Sequence, residues 1–139
     1  VAVALQVEAQ AAPTWRLVEE WRVGGEVEGA LSFSDPRGLQ RLPNGGLVVF
    51  DFKDQQVHFF DARGTPVRTV GRKGAGPGEF RNANGLFVMP NGQIVISDPS
   101  NTRFTILAAN GDLVRTVPVQ IRGFGYLWEP FWHEGKLVE

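Results

Sequence analysis

The sequence predicts an all-β protein in which a four-stranded antiparallel unit repeats every 47 residues. The 139 residues include 17 Gly and 9 Pro beside 10 Phe and 4 Trp, and this mixture of turn-forming and sheet-favouring residues is typical of many short strands. Shifting the chain by 47 positions aligns residues 33–70 with residues 80–117 and gives 14 identities in 38 positions. About two or three identities would be expected by chance from ordinary composition.

Each copy of the repeat predicts four short strands joined by tight turns. The predicted strands are Leu39–Leu42, Gly46–Phe50, Val57–Asp61 and Pro66–Val70 in the first copy, and Leu86–Met89, Gln93–Ser97, Arg103–Ala108 and Leu113–Val117 in the second. Pro-Asn-Gly follows the first strand in both copies and predicts a tight turn there, because proline fixes φ and Asn-Gly tolerates the positive φ of a hairpin. The second strands are continuously apolar, which is typical of strands covered on both faces.

Tandem sheets of this size that are apolar on both faces are the blades of a β-propeller. The predicted fold class is therefore all-β, a partial β-propeller built from four-stranded antiparallel blades of 47-residue period. We expect one blade at residues 24–70 and a second at residues 71–117. The alternative is a duplicated β-sandwich, but sandwich strands usually alternate between inward and outward side chains.

Residues 1–12 contain an apolar run that leads into Ala9-Gln10-Ala11 and Ala12-Pro13. An apolar stretch before a small-x-small triplet is typical of the second half of a secretory signal peptide, so this segment predicts a signal-peptide remnant. The alternative is an N-terminal segment whose alanines are accidental. The first interpretation predicts an exported protein, periplasmic or extracellular.

The segments that flank the two copies fit the same period. Trp21-Arg22-Val23-Gly24 aligns with residues 68–71, so residues 13–23 are predicted to form a strand of a preceding blade or one that closes the ring. Residues 133–138 read as a turn and a second strand, so residues 118–139 predict the start of a further, truncated blade. A ring of six such blades would need about 280 residues. We therefore expect a fragment whose partner is the missing remainder of its own propeller.

A known repeat resembles the second copy. The residues that carry the resemblance are Gly74-Ala75-Gly76-Pro77-Gly78-Glu79-Phe80, Gly85-Leu86, Asp98, Asn101, Arg103 and Asn110-Gly111, which resemble the NHL repeat of six-bladed β-propellers. Residues 71–117 match closely, whereas residues 24–70 lack Gly-Pro-Gly and have Asp54 and Gln56 in place of the Asn and Arg.

The resemblance implies structural roles for Asp51, Asp98, Asn101, Arg103, Gly76, Gly78 and Phe80. It implies that a carboxylate and a guanidinium, here Asp98 and Arg103, fix the loop between the second and third strands. Asp51 lacks the arginine, so the first copy is expected to fix its loop in another way.

Composition and charge exclude several kinds of site. The net charge of −1 argues against nucleic acid or an anionic membrane as a partner, and no apolar run reaches the roughly 18 residues of a membrane span. The absence of Cys excludes a thiolate nucleophile and a cysteine zinc site. His58 and His133 lack the spaced carboxylates of a metal site, so no catalytic residue, metal site or cofactor is predicted.

Two segments are candidates for ligand binding. The glycine cluster at residues 71–78 lacks the Gly-Lys-Ser/Thr of a phosphate-binding loop and predicts a connection between blades, with Arg72 and Lys73 as candidate binding residues at its rim. The aromatic residues of the segment 123–133 predict packing between blades. The alternative for this segment is an aromatic patch that binds peptide or glycan.

The sequence favours a non-catalytic binding scaffold for a protein, peptide or glycan ligand. The alternative is a propeller enzyme, a lyase or hydrolase with a channel-bound metal, whose catalytic residues lie mostly in further blades. In the predicted first strands only Gln40 and Arg41 are polar, which argues mildly against an axial metal. Single-stranded RNA binding would require a basic face that the net charge does not supply.

Overall fold

Two four-stranded sheets form most of the computed structural model, which describes residues 14–19, 22–23, 31–119, 131–133 and 136–138. The first sheet contains β1 (Pro36–Arg41), β2 (Leu47–Asp51), β3 (Gln56–Phe60) and β4 (Pro66–Val70), and the second contains β5 (Gly85–Val88), β6 (Ile94–Asp98), β7 (Arg103–Leu107) and β8 (Leu113–Pro118). A third pair, β9 (Phe131–His133) and β10 (Lys136–Val138), forms an antiparallel hairpin.

Both large sheets are antiparallel, and their strands lie side by side in chain order. The described residues contain one 3₁₀ turn, Pro99–Asn101, and no α-helix. The predicted all-β fold is therefore confirmed, and each strand predicted within residues 39–117 is present. The largest difference between predicted and observed strand bounds is in β1, which begins at Pro36 rather than Leu39. Beyond a bulge at Gly38 the pairing with β2 continues, and Pro36 lies opposite Asp51.

The main core lies between the two large sheets. It contains Val48, Phe50, Val57 and Phe59 from the first sheet and Leu86, Ile94, Ile96 and Leu107 from the second, together with Phe80 and Ala83. The opposite face of the second sheet has its own cluster around Val95, Phe104 and Ile106. Both faces of a sheet are therefore apolar, which explains why its second strand is a continuous apolar run rather than an alternating one.

The first strands of the two sheets contact one another, whereas the fourth strands are exposed. At this contact a Cβ added to Gly38 would lie 3.2 Å from the Cβ of Leu86, so the backbones approach closely where the sheets converge. The positive φ of Gly38, 67°, is a conformation that glycine adopts without steric cost.

The predicted strand across residues 13–23 is not observed in the described part of that segment. Residues 14–19 and 22–23 have no ladder partner, and the side chains of Leu17 and Val18 are exposed. Trp21 and Gly24, which carry the alignment with β4, lie outside the described residues, so the strand across residues 13–23 stays a prediction. The predicted signal-peptide remnant, residues 1–12, lies outside the described residues.

The hairpin of β9 and β10 lies where a turn and strand were predicted for residues 133–138. The assignment of residues 118–139 to a further blade stays a prediction, as do the limits 24–70 and 71–117 of the two blades. Among the described residues no helix has the length and apolar character needed to cross a membrane.

Candidate functional site

The strands of both sheets end along two opposite edges, and the connections between strands are longer at one of these edges than at the other. At one edge, here called the loop edge, lie residues 32–36, 51–56, 71–84 and 98–103, which connect strands through longer segments. At the other, the turn edge, lie the tight turns at residues 42–46, 61–65, 89–93 and 108–112. The residues predicted from the repeat motif, and the rim candidates Arg72 and Lys73, all belong to the loop edge.

Asp51 closes the loop edge of the first sheet. Its carboxylate is fully buried at the end of β2 and accepts four backbone N–H groups, from Ser34 (2.6 Å), Asp35 (3.1 Å), Lys53 (3.1 Å) and Asp54 (3.3 Å). Burial opposes the charged form, but the backbone N–H groups outweigh it and lower the pKa of Asp51. The carboxylate therefore fixes both the entry to β1 and the β2–β3 loop.

Asp98 repeats this arrangement 47 residues later in the second sheet. It accepts the backbone N–H groups of Arg81 (2.9 Å), Asn82 (3.2 Å) and Asn101 (3.3 Å), and its fourth donor is the side-chain amide of Asn101 (2.7 Å). Asp98 and Asn101, both named from the repeat motif, are thus bonded to each other across the β6–β7 loop. The four hydrogen bonds use the four acceptor positions of the Asp98 carboxylate.

The connection between the sheets, residues 71–80, is anchored by Phe80. Its ring is fully buried and lies 6.0 Å from the ring of Phe50, with the two planes perpendicular. Gly71 has a φ of 90°, and a Cβ at this position would lie 2.5 Å from the Phe80 ring. Gly78 also has a positive φ, 73°. Glycine is thus required at residue 71 for both backbone conformation and close packing, and at residue 78 for backbone conformation.

The polar groups of this connection bond to one another. The N–H of Gly76 donates to Glu79 Oε2 at 2.8 Å, the N–H of Gly74 donates to the Phe80 carbonyl, and the N–H of Phe80 donates to the Arg72 carbonyl. The Gly76 N–H is the main cause that lowers the pKa of Glu79. Since these amides are already used, the segment does not form a phosphate cradle.

Arg103 does not have the role that the resemblance implied. Its guanidinium donates to the carbonyls of Ala75 (3.1 Å), Gly76 (2.6 Å) and Glu79 (2.8 Å), and so holds the connection before its own sheet rather than the β6–β7 loop. The long side chain extends from the start of β7 to these carbonyls, of which that of Gly76 also accepts the N–H of Glu79 at 3.1 Å. The β6–β7 loop is held by Asp98, by the Asn101 side-chain amide, which also donates to the Gly74 carbonyl at 3.0 Å, and by the Thr102 carbonyl, which accepts the N–H of Val119 at 2.9 Å.

Gln55 is a structural residue that sequence reasoning missed. It is 2% exposed, its φ is 56°, and its side-chain amide bonds both backbone groups of Ala83 in the second sheet, accepting at 2.8 Å and donating at 3.3 Å. It also donates to the Phe52 carbonyl at 2.6 Å. A glutamine beside another glutamine, Gln56, has no local feature that distinguishes this role.

The outward-facing charges of the connection are cationic. Arg72, whose side chain is 78% exposed, pairs with Glu79, whereas Lys73 is exposed and has no ion pair among the described residues. Arg81 is exposed immediately after Phe80, and its backbone N–H, not its side chain, bonds Asp98. The rim candidates Arg72 and Lys73 thus lie on a connection in which the N–H groups of Gly74, Gly76 and Phe80 are internally bonded.

His58 is a buried residue of β3. It is 4% exposed, its Nδ1 lies 2.9 Å from Thr69 Oγ1, and its ring packs edge-on against Phe33. Burial is the main cause that lowers the pKa of His58, although the nearby Asp51 and Asp54 carboxylates oppose this. In the described part of the chain, no three side chains of His, Cys, Asp or Glu lie close enough together to hold a metal ion. The side chain of His133 and the aromatic side chains of residues 123–133 lie outside the described residues.

Comparisons with known proteins address the fold. A sequence model of the DUF5128 family, described as a 6-bladed beta-propeller, matches residues 39–115, more than half of the chain. The crystal structure of a presumed exported protein from Bacteroides fragilis is similar, with a TM-score of 0.61 and 19% identity over 72% of this chain and 28% of that chain. A protein of unknown function from Bacteroides caccae has a TM-score of 0.40 and 16% identity, over 61% of this chain and 31% of that chain.

The chain spans less than a third of the length of either solved structure. No curated protein matches it significantly. The family match and the two stacked sheets together confirm the predicted fold class, a partial propeller of four-stranded antiparallel blades.

Proposed function

The chain belongs to the six-bladed β-propeller family, and from this premise we propose that it is part of an exported, non-catalytic binding scaffold with NHL-like blades. The observation that carries the proposal is the loop edge, where a rigid, internally bonded framework presents Arg72, Lys73 and Arg81 to solvent. A binding surface needs this combination, since side chains on a fixed backbone lose less entropy when a ligand binds.

The loop edge favours an acidic ligand. Its buried carboxylates, Asp51 and Asp98, are occupied by four hydrogen bonds each, and Glu79 is bonded by Gly76 and Arg72. Lys73 and Arg81 are exposed and have no ion pair among the described residues, whereas the Asp51 and Asp98 carboxylates are buried beneath the surface. We propose an acidic segment of a protein, peptide or glycan as the ligand.

Two features support export. The apolar segment of residues 1–12 ends in small residues, which is typical of a signal peptide. The Bacteroides fragilis protein of similar fold is described as a presumed exported protein. The NHL-like assignment is supported by the Gly76–Phe80 connection and by the repeated Asp51 and Asp98, each of which fixes the entry to its blade.

Binding to two acidic probes, polygalacturonate and poly-glutamate, tests the proposal, with neutral dextran as the reference surface. We expect binding that weakens as salt is raised, because the contacts are between exposed charges. The double variant Lys73→Gln/Arg81→Gln should weaken binding about tenfold. Arg115→Gln is the matched control, since Arg115 is equally exposed but lies on β8, away from the loop edge.

Three outcomes would contradict the binding proposal. They are no binding to either acidic probe, equal binding by the double variant and the wild type, and equal losses in the double variant and the control. Release of new reducing ends or new amino groups from a probe would instead favour the alternative, a propeller hydrolase or lyase.

A further inference from the structure

Glycine follows asparagine at four positions of the chain, Asn44, Asn84, Asn91 and Asn110. Such a pair is open to a spontaneous reaction, because glycine has no side chain to keep its backbone nitrogen away from the asparagine side chain. Asn84 is buried, 6% exposed, whereas the other three asparagines are exposed in the tight turns of the turn edge. The turn edge lies opposite the loop edge, so this chemistry is independent of the proposed function.

The reaction is an attack of the glycine nitrogen on the asparagine side chain. A base removes the glycine N–H proton, the nitrogen forms a bond to Cγ of the asparagine, and the bond from Cγ to Nδ2 breaks, so that ammonia leaves with a proton. One water molecule then opens the cyclic imide to aspartate or isoaspartate. Base must therefore reach the glycine N–H, and the asparagine side chain must be able to turn toward it.

The three turns have the same backbone hydrogen bonds. The glycine N–H donates to the carbonyl three residues before it, at 2.9 Å for Gly45, 2.8 Å for Gly92 and 2.9 Å for Gly111. In each turn the asparagine Oδ1 accepts the N–H of the residue two positions later. These bonds must open in all three turns before the reaction, so they do not decide which asparagine reacts first.

The surroundings of the three glycines differ. Gly45 is half-buried, whereas Gly92 and Gly111 are buried. A Cβ built on Gly111 would lie 3.1 Å from the Phe59 ring, so this turn is packed against the first sheet. The nearest atom to a Cβ on Gly45 is the Cβ of Ala62, at 3.5 Å. Base therefore reaches the N–H of Gly45 more readily than the other two.

The three asparagine side chains also differ in how firmly they are held. Nδ2 of Asn91 donates to Gln93 Oε1 at 3.1 Å, and Nδ2 of Asn110 donates to Asp112 Oδ2 at 2.8 Å. Nδ2 of Asn44 has no acceptor among the described residues. The side chain of Asn44 therefore loses one hydrogen bond fewer when it turns toward the next residue.

A cation lies beside the first of these turns. A Cβ built on Gly45 would lie 3.9 Å from Nη2 of Arg41. A positive charge at such a distance favours the anionic form of a group, here the deprotonated nitrogen that attacks Cγ. In the second blade the residue aligned with Arg41 is Val88, so the otherwise matching turn Pro90-Asn91-Gly92 has no cation at that position.

We propose that Asn44 is a site of spontaneous deamidation, and that it reacts ahead of Asn91 and Asn110. The product places a carboxylate beside the guanidinium of Arg41. Where the product is isoaspartate, the backbone of the turn after β1 is also longer by one methylene group. The modification thus changes the charge and the shape of the turn edge in the first blade only.

Peptide mapping of the folded full chain by mass spectrometry, after incubation in mildly alkaline buffer, measures the three rates. Isoaspartate methyltransferase with labelled S-adenosylmethionine identifies the isoaspartate. We expect Asn44 to deamidate at least about fivefold faster than Asn91 or Asn110. In urea the three rates should be similar, because each asparagine precedes glycine and the folded surroundings are lost.

The variant Arg41→Gln tests the contribution of the cation. It should slow deamidation of Asn44 about threefold, as expected for an exposed charge. The rates at Asn91 and Asn110 verify that its fold is retained, since both would rise if the turns opened. Arg115→Gln is the matched control, because Arg115 is exposed on β8, outside the three turns, and should leave every rate unchanged.

Hydrogen exchange gives a second measurement of the same first step, since it also begins with removal of the amide proton by base. The N–H of Gly45 should exchange faster than those of Gly92 and Gly111. Exchange at Gly45 as slow as at the two buried glycines would contradict the accessibility on which the proposal depends.

Several outcomes of the mapping would overturn the proposal. They are no deamidation of Asn44 in the folded chain, a rate at Asn91 or Asn110 equal to that at Asn44, and the same order of rates in urea as in the folded chain. An unchanged rate in Arg41→Gln, or an equal decrease in Arg115→Gln, would do the same. Each of these results would leave binding of acidic probes at the loop edge unaffected.

Discussion

The two blades use the same carboxylate but complete their loops differently. Asp51 and Asp98 occupy the same position and each accepts four hydrogen bonds. Four residues after Asp51 comes Gln55, which bonds the next blade, whereas four residues after Asp98 comes Thr102, which is exposed. The contacts inside a blade repeat, and the contacts from one blade to its neighbour differ.

The repeated contacts depend on backbone donors. Ser34 in the first blade and Arg81 in the second have unrelated side chains, yet both donate their N–H to the aspartate. The same holds for Asp35 and Asn82. A carboxylate that binds N–H groups places little demand on the side chains of its partners, so the loop edge can vary in sequence while its geometry is retained.

The largest expected effect comes from replacing the two aspartates by asparagine. We expect the free energy of unfolding to fall by about 3 kcal/mol for Asp51→Asn and about 2 kcal/mol for Asp98→Asn. Asparagine keeps one acceptor oxygen and turns an NH₂ toward backbone donors. Only Asp98 has a side-chain donor, Asn101, whose amide can rotate to accept from that NH₂ but then gives up its hydrogen bond to the Gly74 carbonyl, so the cost is relieved only in part.

Urea denaturation of the two variants measures this difference. The double variant Asp98→Asn/Asn101→Ala is the control, because it removes the side chain whose rotation relieves the cost. If Asp98→Asn were as destabilising as Asp51→Asn, rotation of the Asn101 amide would not contribute to the difference between the blades.

A smaller effect is expected at the position where the blades differ. Gln55→Ala should lower the free energy of unfolding by about 2 kcal/mol, because it leaves the buried N–H and carbonyl of Ala83 without these partners. Thr102→Ala, at the aligned and equally left-handed position, should change it by less than about 0.5 kcal/mol, since Thr102 is exposed. Thermal denaturation of both variants measures the two values, and similar losses would contradict the role assigned to Gln55.

The smallest expected effect concerns pH. Burial lowers the pKa of His58 below its ordinary value of 6.5, so the unfolded chain binds more protons than the folded one as the pH falls below that value. The stability linked to His58 is therefore complete above the unfolded pKa and is lost as the pH falls toward the folded pKa. His58→Thr introduces the residue of the second blade, Thr105, and removes this dependence.

Urea denaturation at about pH 7.5 and about pH 5.5 brackets the titration of an ordinary histidine. The wild type should lose more stability between the two values than His58→Thr. An equal loss in both proteins would assign the pH dependence to other groups. Asp51 does not interfere in this range, because the lowered pKa of its carboxyl moves its own effect to more acidic solution.

The strands and turns could be predicted because both are encoded locally. Pro-Asn-Gly marks the first turn of each copy, and alignment of the two copies compensates for the weak signal of any single short strand. The N-terminal segment had only the alignment of Trp21–Gly24 in its favour, and pairing is a tertiary property that such an alignment does not test. The described residues 14–19 and 22–23 have no strand partner, and the strand across residues 13–23 stays a prediction.

The candidate sites were less predictable because they depend on contacts between blades. Gln55 and Ala83 are 28 residues apart, and their contact exists only once the sheets are stacked. The reach of Arg103 to the Gly76 carbonyl has the same origin.

Each aspartate bonds donors that lie close to it in the sequence, and this affects how a propeller can gain or lose blades. Asp51 and Asp98 each bond an N–H only 17 residues earlier in the chain, so each anion and its donors travel together in one gene segment. Duplication or loss of a whole 47-residue unit leaves no buried carboxylate without its donors. The junctions made by Gln55 and Arg103 are then the places where a newly inserted unit must adapt to its neighbours.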